Sequence, residues 1–247
     1  MAFLHRAKMG SIDKIDMDTV FPGNPSGLQA ERTAHILFAE MRRCADAVIN
    51  LHTLNTRFRA TPYTNAKWVA GARDEVNQKT FQMAVAFGVN TICSIDLSKA
   101  TGELPGVTRG ALDIACIQEG IPAIMAEMGG GGRIEDENIA LTKQGIFNVM
   151  IHLNMWDEEL FKPSKQVVVK KRRFLRSDRG GYVRVCAEPG TVHPAGAPYA
   201  RIFNWWEDLD APSLDQDMYI IASRINPLVS TGDRLVFVGL EWEEITS

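Results

Sequence analysis

Apolar positions recur along this chain with two different periods, and the switch between them divides it. Ala30, Ala34, Leu37, Met41 and Cys44 stand at helical spacing. A helix is therefore predicted from Ser26, a capping residue with Gln29 three positions on, to about Ala45. The apolar run from Ala47 to Leu51 is too brief for a helix and reads as a buried strand ending on His52 and Thr53. The alternation then repeats. Arg73–Phe87 is predicted helical with Gly88 as its stop, and Val89–Ile95 a strand. Gly106–Glu119 is predicted as a helix ending at Gly120, and Ile121–Ala126 as a buried strand ending on Glu127. Glu135–Leu153 follows as a helix with acidic residues in its first turn. Strand and helix in alternation predict an α/β fold with a mostly parallel sheet.

The period changes after Pro163. QVVVKK, GYVRVC, YARIF, MYIIASR and RLVFVGL alternate with a period of two, and turns rich in Gly, Pro and Asp separate them. A catalytic-type α/β domain over 1–162 and an all-β domain over 163–247 are expected.

Composition narrows the function classes. The 247 residues are 45% apolar and 23% charged, which suits a globular chain with a sizeable core. A formal net charge of −3 gives no reason to expect nucleic acid as a partner. No apolar run is long enough to span a bilayer, and charge interrupts MAFLHRAKMG before any signal-peptide core could form. The four cysteines are scattered without a CxxC pair. A reduced, cytoplasmic setting is expected, without metal binding through thiols.

Two ionisable residues close predicted strands: His52 after VINL and Glu127 after IPAIMA. Ligands of open α/β sheets bind outside the carboxyl ends of the strands, so these positions are candidates for chemistry. The competing readings are a hydrogen-bonded structural histidine and a solvated glutamate before a glycine run.

FPGNPSG, AERTAHILFAE, ADAVINLHT and GIPAIMAEMGGGGR, in that order, resemble the succession in the succinylglutamate desuccinylase/aspartoacylase family, part of the zinc carboxypeptidase superfamily. RSDRGGYVRVCAEPGTVHPAGAPYARIF and NPLVSTGDRLVFVG resemble its small barrel, built like a biotinyl-lipoyl module. The resemblance runs from about Phe3 to the end of the chain. It implies a zinc-carboxypeptidase-like sheet, incomplete at its N-terminus, followed by that barrel. It also implies a zinc amidohydrolase that deacylates an N-acyl amino acid or related amide, a small-molecule partner. His52 would be a zinc ligand and Glu127 the general base. Arg109, in GVTRGAL, matches a substrate-binding arginine, the alternative being a solvated residue on a helix face.

Two departures accompany the resemblance. The family's Gly-x-His-Gly-x-Glu motif, which supplies the other two zinc ligands, has no match here; His5 and His35 have no Glu three residues on. A truncated site, weak in zinc and weak or inactive as an enzyme, is therefore expected. The alternative is a non-catalytic protein that binds a small molecule or a partner, and homo-oligomerisation stays open. Second, the family's Asn-Arg before x-Phe-Pro-Gly is here Asp18-Thr19. Thr cannot form the bidentate pair that Arg makes with a carboxylate, and Asp would repel one. An uncharged or amine-bearing amide becomes at least as plausible a substrate as an acidic one.

The remaining features carry less. Gly129–Gly132 lacks the Lys-Ser/Thr of a phosphate loop and reads as backbone passing close to the site. KPSKQVVVKKRRFLR reads as a solvated strand edge rather than a nucleic-acid patch. Trp205 and Trp206 are expected to pack at the barrel or its loop, with an interface as the alternative.

Overall fold

The structure, a computed structural model, describes residues 8–99, 110–161 and 163–246. The first half holds α1 (Gln29–Cys44), β1 (Val48–His52), β2 (Phe58–Ala60), β3 (Tyr63–Trp68), α2 (Asp74–Ala86), β4 (Thr91–Asp96), α3 (Leu112–Gln118), β5 (Ala123–Glu127) and α4 (Asp136–His152). The expected helices and strands are present, but two unpredicted strands, β2 and β3, break the alternation after β1. The second half is all strand: β6 (Lys165–Arg176), β7 (Gly181–Val185), β8 (Val192–His193), β9 (Ala200–Phe203), β10 (Asp208–Asp210), β11 (Met218–Arg224), β12 (Leu228–Val229) and β13 (Arg234–Thr246).

The start of α1 differs from its prediction. Ser26 lies in a turn closed on the Asn24 side chain, and Leu28 takes the cap position. Glu31 accepts the Leu28 N–H at 2.8 Å, and Asp13 reaches back to accept the Ala30 N–H at 2.6 Å. The cap is thus supplied from within the helix and from a loop 17 residues upstream. The helix stops at Gly88 and Gly120 hold as predicted, each at positive φ (86° and 87°).

The main sheet is mixed rather than mostly parallel. Its order is β1-β5-β3-β4-β6-β13-β11-β2, with β8 beside β11. The pairs β1·β5, β3·β4 and β4·β6 are parallel, whereas β3·β5, β6·β13, β11·β13 and β2·β11 are antiparallel. Helices cover both faces of the first strands. Ala34 and Phe38 of α1 and Ile114 and Ile117 of α3 pack with Val48 and Ala123. Met83 and Phe87 of and after α2, with Val149 of α4, pack with Ile92, Ile124 and Val168 on the other face.

The strands after Pro163 do not stand apart as the expected barrel. β6 is 12 residues long, pairs with β4 at its start and with β13 along its length, and so carries the main sheet across the change in sequence character. Only β10-β9-β7-β12 forms a second sheet, which packs Val183 and Ile202 against Met218, Ile220 and Val236. β6 is paired on both sides only at Val167–Val169; the basic residues from Lys170 on pair with β13 alone. Its exposed Lys165, Lys170 and Lys171 pair across to Glu244, Glu243 and Glu241 of β13 at 3.0, 2.6 and 3.0 Å.

Gly145 sets how closely α4 approaches the core. A Cβ there would lie 2.4 Å from the ring of Phe87, which is fully buried. Gly145→Ala gains about 1 kcal/mol of helix propensity but overpacks a ring with nowhere to move. We expect a net loss of about 1–2 kcal/mol in thermal unfolding, reversed in a Gly145→Ala/Phe87→Leu double variant.

Candidate functional site

β5 is fully buried, whereas β1, expected as a buried strand, is the edge of the main sheet, with only Val48 buried and Leu51 exposed; their parallel pairing runs in strict register from Val48↔Ala123 to His52↔Glu127. The two strands end together, so His52 and Glu127 stand side by side at their carboxyl ends. Tyr63 of β3 is the antiparallel partner of Glu127 on its other side. Side chains alternate along a strand, and register partners share a face. Asn50, His52, Glu127, Tyr63, Asn65 and Lys67 therefore point to the same face, the one that α1 and α3 cover.

The loop before α1 brings acid to this face. Asp18 Oδ2 lies 3.9 Å from His52 Nε2, while Asp18 Oδ1 accepts the Leu112 N–H at 3.1 Å. Lys8 Nζ sits 2.8 Å from Asp16 Oδ2 and 3.9 Å from Asp18 Oδ2. An ammonium group thus rests in an acidic cradle directly beside His52.

Burial decides the charge states. It pushes the Glu127 carboxyl up to about 7; Lys8 and Arg172 pull it back, Asp18 adds to the rise, and Lys67 lowers it. Glu127 is nine-tenths buried, and its Oε2 has no hydrogen-bond partner among the described residues. Burial likewise pushes His52 below the usual imidazole range, against the opposing pull of Asp18, so the ring is neutral at pH 7.

The glycine run is stitched to the segment after β1. Met128 N–H donates to His52 O (2.8 Å), Leu54 N–H to Gly129 O (2.9 Å) and Gly131 N–H to Asn55 O (3.3 Å). A Cβ on Gly130 would meet Phe58 O at 2.4 Å, so this close approach needs glycine.

Sequence reading missed four buried charged or amide residues nearby. Lys67 Nζ donates to Asp113 Oδ1 at 2.9 Å, with the side chains 5% and 0% exposed. Arg172, within the run read as solvated, is buried and donates from Nη1 to Asn65 Oδ1. The signal was present in YTNAKW and ALDIAC, where a single charge interrupts small and apolar residues. Arg109 and His5 lie outside the described residues. Trp205 and Trp206 are exposed, Trp205 edge-on to Tyr182.

A cavity of about 400 Å³ touches His52 but opens beside α4, between Leu51, Thr53, Met128, Ile139 and Arg133. Leu51 and Thr53 alternate with His52, so its walls belong to the opposite face of the sheet. It contains neither Glu127 nor Asp18.

The donors were tested against zinc. A neutral His52 suits a ligand, and Glu127 carries a free oxygen. Catalytic zinc nevertheless needs about three protein ligands, and among the described residues no three His, Cys, Asp or Glu side chains are grouped to hold a metal. The described residues fit one ligand position, not a full set.

Comparisons with known proteins agree on the family. The model of the succinylglutamate desuccinylase/aspartoacylase catalytic domain matches residues 7–153. The N-alpha-acetyl-L-2,4-diaminobutyric acid deacetylase of Halomonas elongata is 23% identical over 235 residues, covering 92% of this chain and 66% of the relative. This chain therefore spans about two thirds of that relative's length. A crystal structure of a succinylglutamate desuccinylase from Silicibacter sp. TM1040 superposes with a TM-score of 0.82 at 19% identity, covering 100% of this chain and 72% of that one. The product-bound ectoine utilization protein EutE (DoeB) from Ruegeria pomeroyi gives 0.83 at 21% identity, covering 97% and 72%.

The raised Glu127 has a consequence for stability. Its folded value is near 7 and its ordinary value 4.5. The folded protein then binds the extra proton between these values, so this group's contribution is complete below about 4.5 and is lost as pH rises through 7. In metal-free protein we expect stability to fall across that window by up to about 3 kcal/mol, measured by urea unfolding, and Glu127→Gln to flatten the slope.

Proposed function

This chain belongs to the succinylglutamate desuccinylase/aspartoacylase family, and on that premise we propose that its site is that of a deacylase cleaving an N-acyl amino acid that carries a second, free amine. The observation that supports this most directly is the pairing of His52 with a buried, half-ionised Glu127. A carboxylate poised near pH 7 can take a proton from attacking water and return it to the leaving amine. His52 is assigned as a zinc ligand. Zinc, when bound, would polarise the acyl carbonyl and acidify water. The described residues supply one of the ligands such a zinc would need.

The acidic cradle supports the amine. Asp18 stands where the family has Asn, and Thr19 where it has Arg. Asp16 and Asp18 already hold the Lys8 ammonium, so a substrate ammonium would meet complementary charge there. The Halomonas elongata relative is named for such a substrate. Arg109 is proposed, on resemblance alone, to contribute to substrate binding. A non-catalytic binding role is the second reading, favoured by the incomplete ligand set.

The test is acetate release from N-acetyl-L-2,4-diaminobutyrate with zinc supplied. Glu127→Gln keeps the shape and should lower the rate by about 10²–10⁴-fold without changing the fold. Asp18→Asn should raise KM for this substrate more than for N-acetylalanine, which lacks the second amine. Full activity in the Gln variant would remove Glu127 as the base. Binding without any hydrolysis would favour the second reading.

Metal analysis gives a separate check. One imidazole without further ligands holds zinc weakly. The purified 247-residue chain should carry well under one zinc per chain after dialysis, and His52→Ala should abolish what remains. A tightly held stoichiometric zinc would show that residues outside the described set complete the site.

A further inference from the structure

Among the described residues three cations are buried: Lys67, Arg172 and Arg224. Lys67 is paired with Asp113 at 2.9 Å and Arg224 with Asp233 at 3.2 Å. Arg172 differs. Its side chain is in a residue only 7% exposed, yet no carboxylate among the described residues lies within ion-pair distance. Its neighbours are neutral: Asn65 accepts from Nη1, the Cys93 thiol makes a side-chain contact, and the Phe237 ring centroid lies 5.5 Å from the guanidinium carbon. Its Nε–H has no acceptor. Burying a cation without a counter-charge is costly, and an unmet donor adds to that cost. A guanidinium so placed, with its Nε–H unmet, offers a contact for an anion.

Its position relates that anion to the reaction. Asn65 is two residues along β3 from Tyr63, and Tyr63 is the register partner of Glu127. Two residues of strand are about 7 Å. Arg172 therefore stands one side-chain row behind Glu127, on the same face, and its charge acts on both Glu127 and Tyr63. The family's carboxylate-binding Arg is here Thr19, so the face needs another cation if the substrate is an amino acid.

We propose that Arg172, oriented by Asn65, pairs with the carboxylate of the substrate and replaces the arginine absent at Thr19. This rests on the deacylase reading above and deepens it: Asp18 and Arg172 together select a substrate bearing both an ammonium and a carboxylate. Arg suits the task because its fork keeps two parallel donors free once Nη1 is engaged elsewhere.

The test measures binding, not turnover. The full chain, without added zinc, is titrated in a calorimeter with N-acetyl-L-2,4-diaminobutyrate and with its primary carboxamide, which differs only in lacking the carboxylate charge. A charge-assisted contact predicts roughly ten- to a hundredfold tighter binding of the acid. Arg172→Gln should erase that preference and Arg172→Lys retain part of it. Since a buried Arg variant can fail to fold, the Nε–H resonance of Arg172 in the wild-type protein provides a second reading. It should shift on adding the acid and stay fixed with the carboxamide. Equal binding of the two probes, a preference that survives in folded Arg172→Gln, or an unmoved resonance at saturation overturns the proposal while leaving the deacylase reading in place. Binding of neither probe sinks the deacylase reading, and the Arg172 assignment with it.

Discussion

The in-register parallel pairing of β1 with β5 is the constraint on which the site depends. A shift of one residue would turn His52 or Glu127 to the other face of the sheet. With the register held, Met128 N–H reaches His52 O, the glycine run closes on Leu54 and Asn55, and Asp18 meets the imidazole edge. None of these contacts is strong alone. They coincide because β5, buried on both faces between α1 and α3 on one side and α2 and α4 on the other, fixes the line along which the edge strand β1 pairs.

That burial has an electrical consequence. The covered face carries Asn50, Glu127, Tyr63, Asn65, Lys67 and Arg172 in a setting built to exclude water. Lys67 is paired there with Asp113, and the Glu127 carboxyl is displaced from its ordinary protonation. Low solvation strengthens every remaining interaction and makes each unmet group costly. Among the described residues, unpartnered buried atoms on Asp113, Glu127 and Arg172 gather on this side of the sheet, and a fourth, Gln166 Oε1, lies on the α2 side. A protein selected only for stability would replace such groups with apolar ones of similar volume.

Much of this was legible in the chain. The helices α1, α2 and α4, the strands β1, β4 and β5, and the glycine stops follow from periodicity and from backbone preference, both local properties. β3 was not legible, because its buried positions include Thr64, Asn65 and Lys67, which read as loop. It is buried because β4 and β5 flank it and the neighbouring polar groups satisfy its own. Arg172 was misread for the complementary reason. A run of like charges looks solvated, but Arg172 turns inward from β6 onto Asn65 and Phe237 while Lys170, Lys171 and Arg173 stay exposed.

The amino-acid sequence by itself determined most of the helices and strands before Pro163, that strands alone follow it, and that His52 and Glu127 close their strands. These are short-range consequences of spacing and chain stiffness. Only the tertiary structure decided that β6 carries the sheet past Pro163, that Lys67 meets Asp113 46 residues away, and that Arg172 meets Asn65 107 residues away. Such contacts follow from sheet order and register, which are settled by the packing of whole elements. No local pattern encodes which distant charge a buried side chain will find.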